Sequence, residues 1–370
     1  KEQPNTKDRT AKFDFLFRVI QFVERQVVLI DALEDATFED LNNLNGPGSI
    51  SSMLTQAKEE KKTNTLLEKI NNFSIRPVLT AHPTQFYPGR VLAIITDLTD
   101  AIKRNKTGLI NTYLMQLGMT PFFKKKKPSP YDEAVNLTWY LQNIFYNSAG
   151  NIISSLRKQL SLNPGCLQLI QLGFWPGGDR DGNPFVNTDI TLRVARRLKE
   201  TILKCYYSDI RTIRRRISFT GVYEQLLEIE QQLLNSIQGK ESLDYDSFKN
   251  GIQSILDDVN TNHNGVFKEL LEDFIDRITL FGFYFAVLDY RQDRSVIEKT
   301  LQHVSLETLL EQDINADTLF NNEKAIDILP STDDRIGDTL ETFKTIKRIQ
   351  ETNGEQGCHR FIISNCQHEM

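Results

Sequence analysis

The sequence predicts a mostly helical α/β protein with a small parallel sheet. Glycine (19) and proline (12) together make up a smaller share of the 370 residues than the average of roughly 12%, which favours long helices. Apolar residues recur at three- and four-residue spacing over long stretches, as in amphipathic helices. Four short apolar runs interrupt these stretches about 90, 110 and 75 residues apart, and such distances suit the helical crossovers between parallel strands.

The composition points to a globular protein without nucleic-acid or membrane partners. Acidic residues (49) outnumber basic ones (44), which disfavours a general nucleic-acid binder. Hydrophobic residues make up 39% of the chain, yet no apolar run reaches the roughly 20 residues that cross a bilayer. The four cysteines suggest no disulfide framework or zinc site, and no apolar signal opens the sequence, so we expect a cytoplasmic location.

The first predicted elements are a long helix and a short strand. One set of apolar side chains recurs at helical spacing and is expected to pack against another element: Phe13, Leu16, Phe17, Ile20, Val23, Val27 and Ile30. The run Ile75–Ala81 is predicted to be a strand. Because proline cannot donate a ladder hydrogen bond, Pro77 should lie at the start of this strand or at an unpaired position.

The next elements are a helix with a strong start signal and a second strand. Ser129 is a favourable N-cap, Pro130 suits the first helical position, and Asp132 follows three residues after the cap. The apolar stripe of this helix comprises Leu137, Leu141, Ile144, Phe145, Ile152 and Leu156. A run of strand length follows from Leu167 and ends at Trp175.

The remaining elements are helices and two further strands. A helix starts at Thr188, and more helices are expected from about residue 221 to 280. The apolar line of the helix at Thr188 comprises Val194, Leu198, Ile202 and Cys205. The runs Phe281–Leu288 and Phe361–Ser364 are predicted to be the third and fourth strands. Parallel strands with long helical connections fit either an open doubly wound sheet or an eight-stranded barrel, and the pattern alone leaves both open.

Polar clusters follow the first two predicted strands, where parallel α/β folds collect their site residues. The first contains His82, and its alternative role is that of a structural histidine in a loop. The second is a glycine-rich charged loop that allows a ligand to approach the backbone closely, with a plain polar turn and an internal Asp–Arg pair as the alternative. Its candidate residues are Trp175, Gly177, Gly178, Asp179, Arg180 and Asp181.

A third polar cluster follows the run Phe281–Leu288. It contains Arg291, whose planar guanidinium suits a phosphate or a carboxylate. The alternative is a structural ion pair between Arg291 and either Asp289 or Asp293. These two interpretations stay open at the level of the sequence.

Together these segments resemble the signature segments of one family, the phosphoenolpyruvate carboxylases. VLTAHPTQ, FWPGGDRDGNPFV and FAVLDYRQD occur in the order and at the approximate spacing of that family. KKPSPYDEA is similar to a further stretch that the family carries between the first two segments. The similarity runs from about residue 75 to residue 365.

The resemblance implies a specific version of the predicted fold. The four strands become the first half of an eight-stranded TIM-type barrel with long helical insertions. Residues 1–74 form an amino-terminal helical region and residues 75–370 the half barrel, with the rest of the barrel absent from this chain. A piece of this kind is expected to be inactive alone.

The resemblance also implies a reaction. Phosphoenolpyruvate and bicarbonate are converted into oxaloacetate and phosphate, the anaplerotic carbon fixation that feeds the tricarboxylic acid cycle, and the complete enzyme is a homotetramer. Mg²⁺ or Mn²⁺ stabilises the enolate, with its ligands expected in the missing carboxyl-terminal half. By the same resemblance His82 serves the carboxylation step and Arg291 holds the substrate's negative charge. Trp175 and the loop Gly177–Pro184 shape the bicarbonate and phosphate side of the pocket.

Two other functions remain open. A non-catalytic interaction or regulatory relative is possible because Asp293 and Arg294 replace the Glu-Ser that the family usually carries after the Arg-Gln pair. A different barrel enzyme that acts on another phosphorylated acid is the third hypothesis.

Overall fold

The computed structural model describes residues 6–44, 46–80, 87, 89–122, 128–181, 183, 185–303 and 334–366. These residues are mostly helical, as the sequence predicts, and none of their helices is long and apolar enough to span a membrane. The helices are α1 (Thr6–Leu41), α2 (Ile50–Glu59), α3 (Thr63–Asn71), α4 (Gly89–Lys103), α5 (Thr107–Met119), α6 (Pro130–Tyr140), α7 (Tyr146–Leu160), α8 (Thr188–Arg216), α9 (Val222–Ile237), α10 (Tyr245–Asn262), α11 (Lys268–Phe281), α12 (Arg294–His303) and α13 (Asp334–Asn353). The strands are β1 (Val78–Leu79), β2 (Gly173–Phe174), β3 (Val287–Leu288), β4 (Tyr290–Asp293) and β5 (Phe361–Ser364).

Contacts divide the chain into two compact units. The first comprises Lys1–Lys61 and His82–Lys127, and the second comprises Lys62–Ala81 and Pro128–Met370. A division by contacts differs from a division into domains, so the predicted domain boundary between residues 74 and 75 stays a prediction.

The first unit is a helical cluster in which α4 packs against both α1 and α5. Its core side chains are Val28, Ala32, Val91, Ile94, Leu98 and Leu117. Arg25 of α1 donates from Nε to the carbonyl of Leu117 at 3.2 Å, and its guanidinium lies 5.0 Å from the ring centre of Phe122. Arg25 thus adds a cationic donor to a carbonyl near the end of α5 that also accepts from the Thr120 N–H at 3.2 Å.

The buried face of α1 is not the predicted one. The seven side chains of the predicted stripe are 44–67% exposed, whereas Val28 and Ala32 are fully buried. At about 100° per residue, these two lie about a quarter to a third of a turn around the helix from the centre of the stripe. For the described residues, the prediction that the stripe packs against another element is therefore wrong. The helix has two apolar faces, and α4 covers the narrower one.

Two helices of the second unit begin where the sequence predicts. At the start of α6, the Ser129 hydroxyl accepts from the Asp132 N–H at 3.2 Å, and the Asp132 carboxylate accepts from the Ser129 N–H at 3.0 Å. At the start of α8, the Asn187 side chain accepts from the Ile190 N–H at 3.0 Å. Each cap satisfies backbone donors that the first helical turn leaves free. The predicted apolar line of α8 is buried.

A π-helical turn, Leu141–Phe145, joins α6 to α7 and changes the predicted stripe. Such a turn inserts one extra residue into the helical repeat. Leu141 is buried, Ile144 is 45% exposed, and burial resumes at Tyr146. The prediction that Ile144 lies on the buried face is therefore wrong, because the extra residue rotates the face.

A buried ion network fastens α7 to α11. Arg157 is 4% exposed and donates to Asp276 at 2.7 Å, to Glu272 at 2.9 Å and to Asp273 at 2.6 Å. Three carboxylates thus surround one guanidinium, whose fork can serve several acceptors at once.

The strands pair in parallel, as predicted. β2 lies between β1 and β3, with Gly173 opposite both Val78 and Val287. β4 pairs with β5, and Arg291 lies opposite Ile362. A single residue, Asp289, separates β3 from β4.

The predicted third strand, Phe281–Leu288, is mostly not a strand. Phe281 is the last residue of α11, and Gly282 (φ +52°) and Phe285 (φ +63°) bend the backbone before β3. Phe281 and Phe285 are buried with their rings 5.3 Å apart. The aromatic residues therefore fill the core between helices instead of alternating along a strand.

Candidate functional site

The glycine-rich loop after β2 leaves the sheet for one turn and rejoins it beside Arg291. The N–H groups of Gly178 and Asp179 both donate to the Trp175 carbonyl at 2.9 Å, which closes the turn. The Arg180 N–H then donates to the Arg291 carbonyl, and the Arg291 N–H to the Gly178 carbonyl, both at 2.9 Å. Backbone pairing therefore fixes the loop against β4.

Two glycines make this path possible. Gly177 has φ +83°, in the left-handed region that glycine tolerates best. A Cβ on Gly178 would lie 2.1 Å from the carbonyl oxygen of Asp289, far inside van der Waals contact. The loop thus needs glycine at 178 for close approach and at 177 for conformation.

The Arg291 guanidinium lies at the centre of the predicted site. Its Nη1 donates to Asp179 Oδ2 at 2.7 Å and its Nη2 to Asp181 Oδ2 at 3.3 Å. The guanidinium carbon lies 4.0 Å from the ring centre of Trp175. The ring and the two carboxylates together orient the cation.

Asp179 is the closer of the two carboxylates and is half-buried. Burial raises the pKa of Asp179 above its usual value, and the nearby Arg291 guanidinium opposes this increase. Burial thus makes the ionised form of Asp179 less favourable than that of an exposed carboxylate. Its negative charge therefore depends more strongly on the nearby Arg291 guanidinium.

The indole of Trp175 is held from its other edge by Asp289. Its Nε1–H donates to Asp289 Oδ2 at 3.0 Å, and Arg76 donates from Nη2 to Asp289 Oδ1 at 2.5 Å. The Asp289 side chain is fully buried, so its charge depends on these partners.

Arg180 contributes to a different cluster. Its Nη1 donates to the Tyr290 hydroxyl at 2.5 Å and to Thr342 Oγ1 of α13 at 3.0 Å. Side chains alternate along a strand, so Tyr290 and Arg291 face opposite sides of β4. Arg180 thus lies on the other side of β4 from the Arg291 guanidinium.

The structure brings together part of the predicted site. Trp175, Asp179, Asp181 and Arg291 converge, with Gly177 and Gly178 shaping their loop. Arg291 does form ion pairs, but its predicted partners, Asp289 and Asp293, are wrong. The carboxylates that it binds belong to the loop after β2. His82 lies outside the described residues, and its place in the site stays a prediction.

At the sequence level Asp289 was considered only as a partner of Arg291, and Arg76 was not singled out as a site residue. A signal for Asp289 existed, since a charged residue directly after the buried run FAVL needs a partner. Arg76 lies in the predicted first strand, and nothing in the local pattern links it to a residue 213 positions away.

The described residues do not fit a divalent metal ion. No group of three or more His, Cys, Asp or Glu side chains that could hold one occurs among them. Asp179 and Asp181 already bind a guanidinium, whereas Mg²⁺ and Mn²⁺ require several oxygen ligands around the ion. The prediction of metal ligands elsewhere in a longer protein remains untested.

Comparison with known proteins agrees with the signature segments. The family model described as phosphoenolpyruvate carboxylase matches residues 3–250 and 242–370. The phosphoenolpyruvate carboxylase of Gloeobacter violaceus is 23% identical over 399 aligned positions, which cover 86% of this chain and 42% of that relative. The chain thus spans about two fifths of the relative's length. On the extent of the family match, this chain belongs to the phosphoenolpyruvate carboxylase family.

Proposed function

We propose that this chain supplies the anion-binding part of a phosphoenolpyruvate carboxylase, which converts phosphoenolpyruvate and bicarbonate into oxaloacetate and phosphate. The observation that carries the proposal is the Arg291 guanidinium, placed over Trp175 and oriented by the loop after β2. Family membership supplies the reaction, and this site supplies a cation for its anionic substrate. We also propose the cytoplasm and a homotetramer as the setting of the complete enzyme.

Arg291 is well suited to bind the negative charge of phosphoenolpyruvate. A guanidinium has five N–H donors, and Asp179 and Asp181 use two of them. The remaining donors of Arg291 have no partner among the described residues and are available to a phosphate or carboxylate. Trp175 covers one face of the cation, which keeps water away and strengthens its charge interactions.

The strand order supports the half-barrel architecture. In a TIM-type barrel each parallel strand pairs with its neighbours in sequence, whereas a doubly wound sheet reverses its order at a switch point. Here β1, β2 and β3 are adjacent in chain order, and β5 pairs with β4. The site lies after the carboxyl ends of β2 and β3, the end at which barrel enzymes place their chemistry.

His82 completes the proposal on the strength of its motif alone. An imidazole titrates close to neutral pH and suits the proton handling of the carboxylation step. The metal ion would neutralise charge on the enolate oxygen, with ligands that we expect from outside these 370 residues.

A non-catalytic relative is the second candidate. Two carboxylates, those of Asp179 and Asp181, surround the single positive charge of Arg291. Such a cluster can instead serve only to hold the loop against β4. In that case Arg291 binds no substrate.

Calorimetric titration of phosphoenolpyruvate tests whether Arg291 binds it. Loss of a charge-assisted hydrogen bond costs about 1.5–3 kcal/mol, so Arg291→Met should weaken binding at least ~10-fold. Arg294→Met is the matched control, because Arg294 pairs with Glu298 within α12 at 2.6 Å. Absent binding, or equal binding by both variants, contradicts the proposal. Tighter binding of 3-phosphoglycerate favours an enzyme for another phosphorylated acid.

Oxaloacetate formation tests the reaction itself. With Mg²⁺ and bicarbonate, the 370 residues alone are expected to form none. The complete reading frame that contains them should form oxaloacetate and lose this activity in a His82→Asn variant. A reading frame that stops directly after Met370 favours the non-catalytic relative, and activity of the 370 residues alone contradicts the expectation of an incomplete enzyme.

A further inference from the structure

We propose that Asp289, paired with Arg76, is the positioning residue that sets the Trp175 indole and, through it, the Arg291 guanidinium. The inference deepens the proposed function and rests on it for the identity of the anion. Asp289 contacts neither the loop carboxylates nor Arg291 among the hydrogen bonds and ion pairs of the described residues. It acts through the aromatic ring that lies between them.

The three side chains link the amino end of β1 to the carboxyl ends of β2 and β3, its neighbours in the sheet. Arg76 precedes β1, Trp175 follows β2, and Asp289 follows β3. Adjacent strands lie about 4.8 Å apart, so Arg76 must reach across β2 to bind Asp289. It passes over Gly173, where an added Cβ would lie 3.0 Å from the guanidinium carbon of Arg76. The absence of a side chain at residue 173 thus leaves the path open.

A carboxylate is the only side chain of this size that satisfies both partners. Arg76 and Trp175 are both donors, and each of them uses a different oxygen of Asp289. An asparagine has one acceptor oxygen and one NH₂ group, so either the guanidinium or the indole N–H would face another donor. Because the side chain is fully buried, water cannot easily replace the lost acceptor.

The backbone of Asp289 reinforces the same contact. Its N–H donates to the Phe174 carbonyl at 3.0 Å, immediately before Trp175. Its carbonyl oxygen lies against Gly178, where the turn rejoins β4. Asp289 therefore contacts the backbone on both sides of the Trp175 turn and binds its indole, which is why we assign the orientation of the ring to this residue.

Asp289→Asn tests the proposal in a Trp139→Phe background. The chain has two tryptophans, so this background leaves Trp175 as the only fluorophore of its kind. We expect Asp289→Asn to shift Trp175 emission to longer wavelength and to weaken phosphoenolpyruvate binding at least ~10-fold, as a misplaced guanidinium loses a charge-assisted hydrogen bond. Arg76→Met should shift the emission in the same direction.

Asp276→Asn is the matched control for a purely structural effect. Asp276 is also buried and binds an arginine, Arg157, but it lies in the network between α7 and α11. The Asp276→Asn substitution should lower the free energy of unfolding without changing either Trp175 emission or the affinity of the folded protein for phosphoenolpyruvate. If Asp289→Asn leaves both unchanged, or if Asp276→Asn changes them equally, Asp289 has no positioning role.

The two proposals fail in different ways. If the parent chain binds no phosphoenolpyruvate, the proposed function fails. The emission of Trp175 in Asp289→Asn then still decides whether Asp289 orients the indole. Inorganic phosphate, titrated in parallel, shows whether Arg291 needs only the phosphate group.

Discussion

Replacing Gly178 with alanine is expected to destabilise the second compact unit and to disturb the site. A Cβ at this residue would lie 2.1 Å from the Asp289 carbonyl oxygen, while ordinary contacts begin near 3.4 Å. The loop or β4 must therefore move by roughly 1.3 Å. The atom in the way belongs to the backbone, so no side-chain rotation can relieve the conflict.

The cost has two sources. Overpacking a tight site costs about 1–3 kcal/mol, and each strained backbone hydrogen bond contributes about 1 kcal/mol. Two such bonds lie beside Gly178, one from Arg291 N–H to the Gly178 carbonyl and one from Arg180 N–H to the Arg291 carbonyl. We therefore expect a loss of about 3–5 kcal/mol in the free energy of unfolding.

Urea denaturation followed by Trp175 fluorescence measures this loss, again with Trp139→Phe as background. Gly251→Ala is the matched control, because Gly251 lies in α10 and a Cβ there meets only Ile229 Cδ1 at 3.7 Å. Alanine should stabilise that helix by about 0.5–1 kcal/mol. The reasoning is refuted if Gly178→Ala unfolds at the same urea concentration as the parent.

Two further predictions concern buried groups of the second unit. Arg157→Met should lower the free energy of unfolding by about 3–5 kcal/mol, because three acidic side chains lose their shared cation. Urea denaturation measures this change, and a loss below about 1 kcal/mol would contradict the prediction. Burial raises the pKa of Cys205 and of Cys358 to about 12, so both thiols stay neutral in the folded chain at pH values at which the unfolded chain ionises them. Stability should therefore fall as the pH rises from about 9 towards 12, and Cys358→Ala should reduce this slope in urea denaturation at several pH values. An unchanged slope contradicts the prediction.

Local sequence signals predicted the elements that depend on neighbouring residues. The Ser129 and Asp132 cap and the helix at Thr188 involve groups within three residues of each other, so short patterns suffice. Local patterns predicted the wrong buried face where a helix has a second apolar face or where an inserted residue rotates the helical repeat. This happened at the stripe of α1 and at Ile144 after the π-helical turn.

The sequence by itself determined the helical character, the parallel strands and the three polar clusters from which family membership follows. Only the tertiary structure decided which charges pair. Arg291 binds Asp179, 112 residues away, and Asp289 binds Arg76, 213 residues away. Asp289 and Asp293 lie two residues from Arg291 in sequence and were plausible partners for it, whereas no acidic residue lies close to Arg76 in sequence. Strand register and the close approach at Gly178 select the actual partners, because both arise only when distant segments pack together.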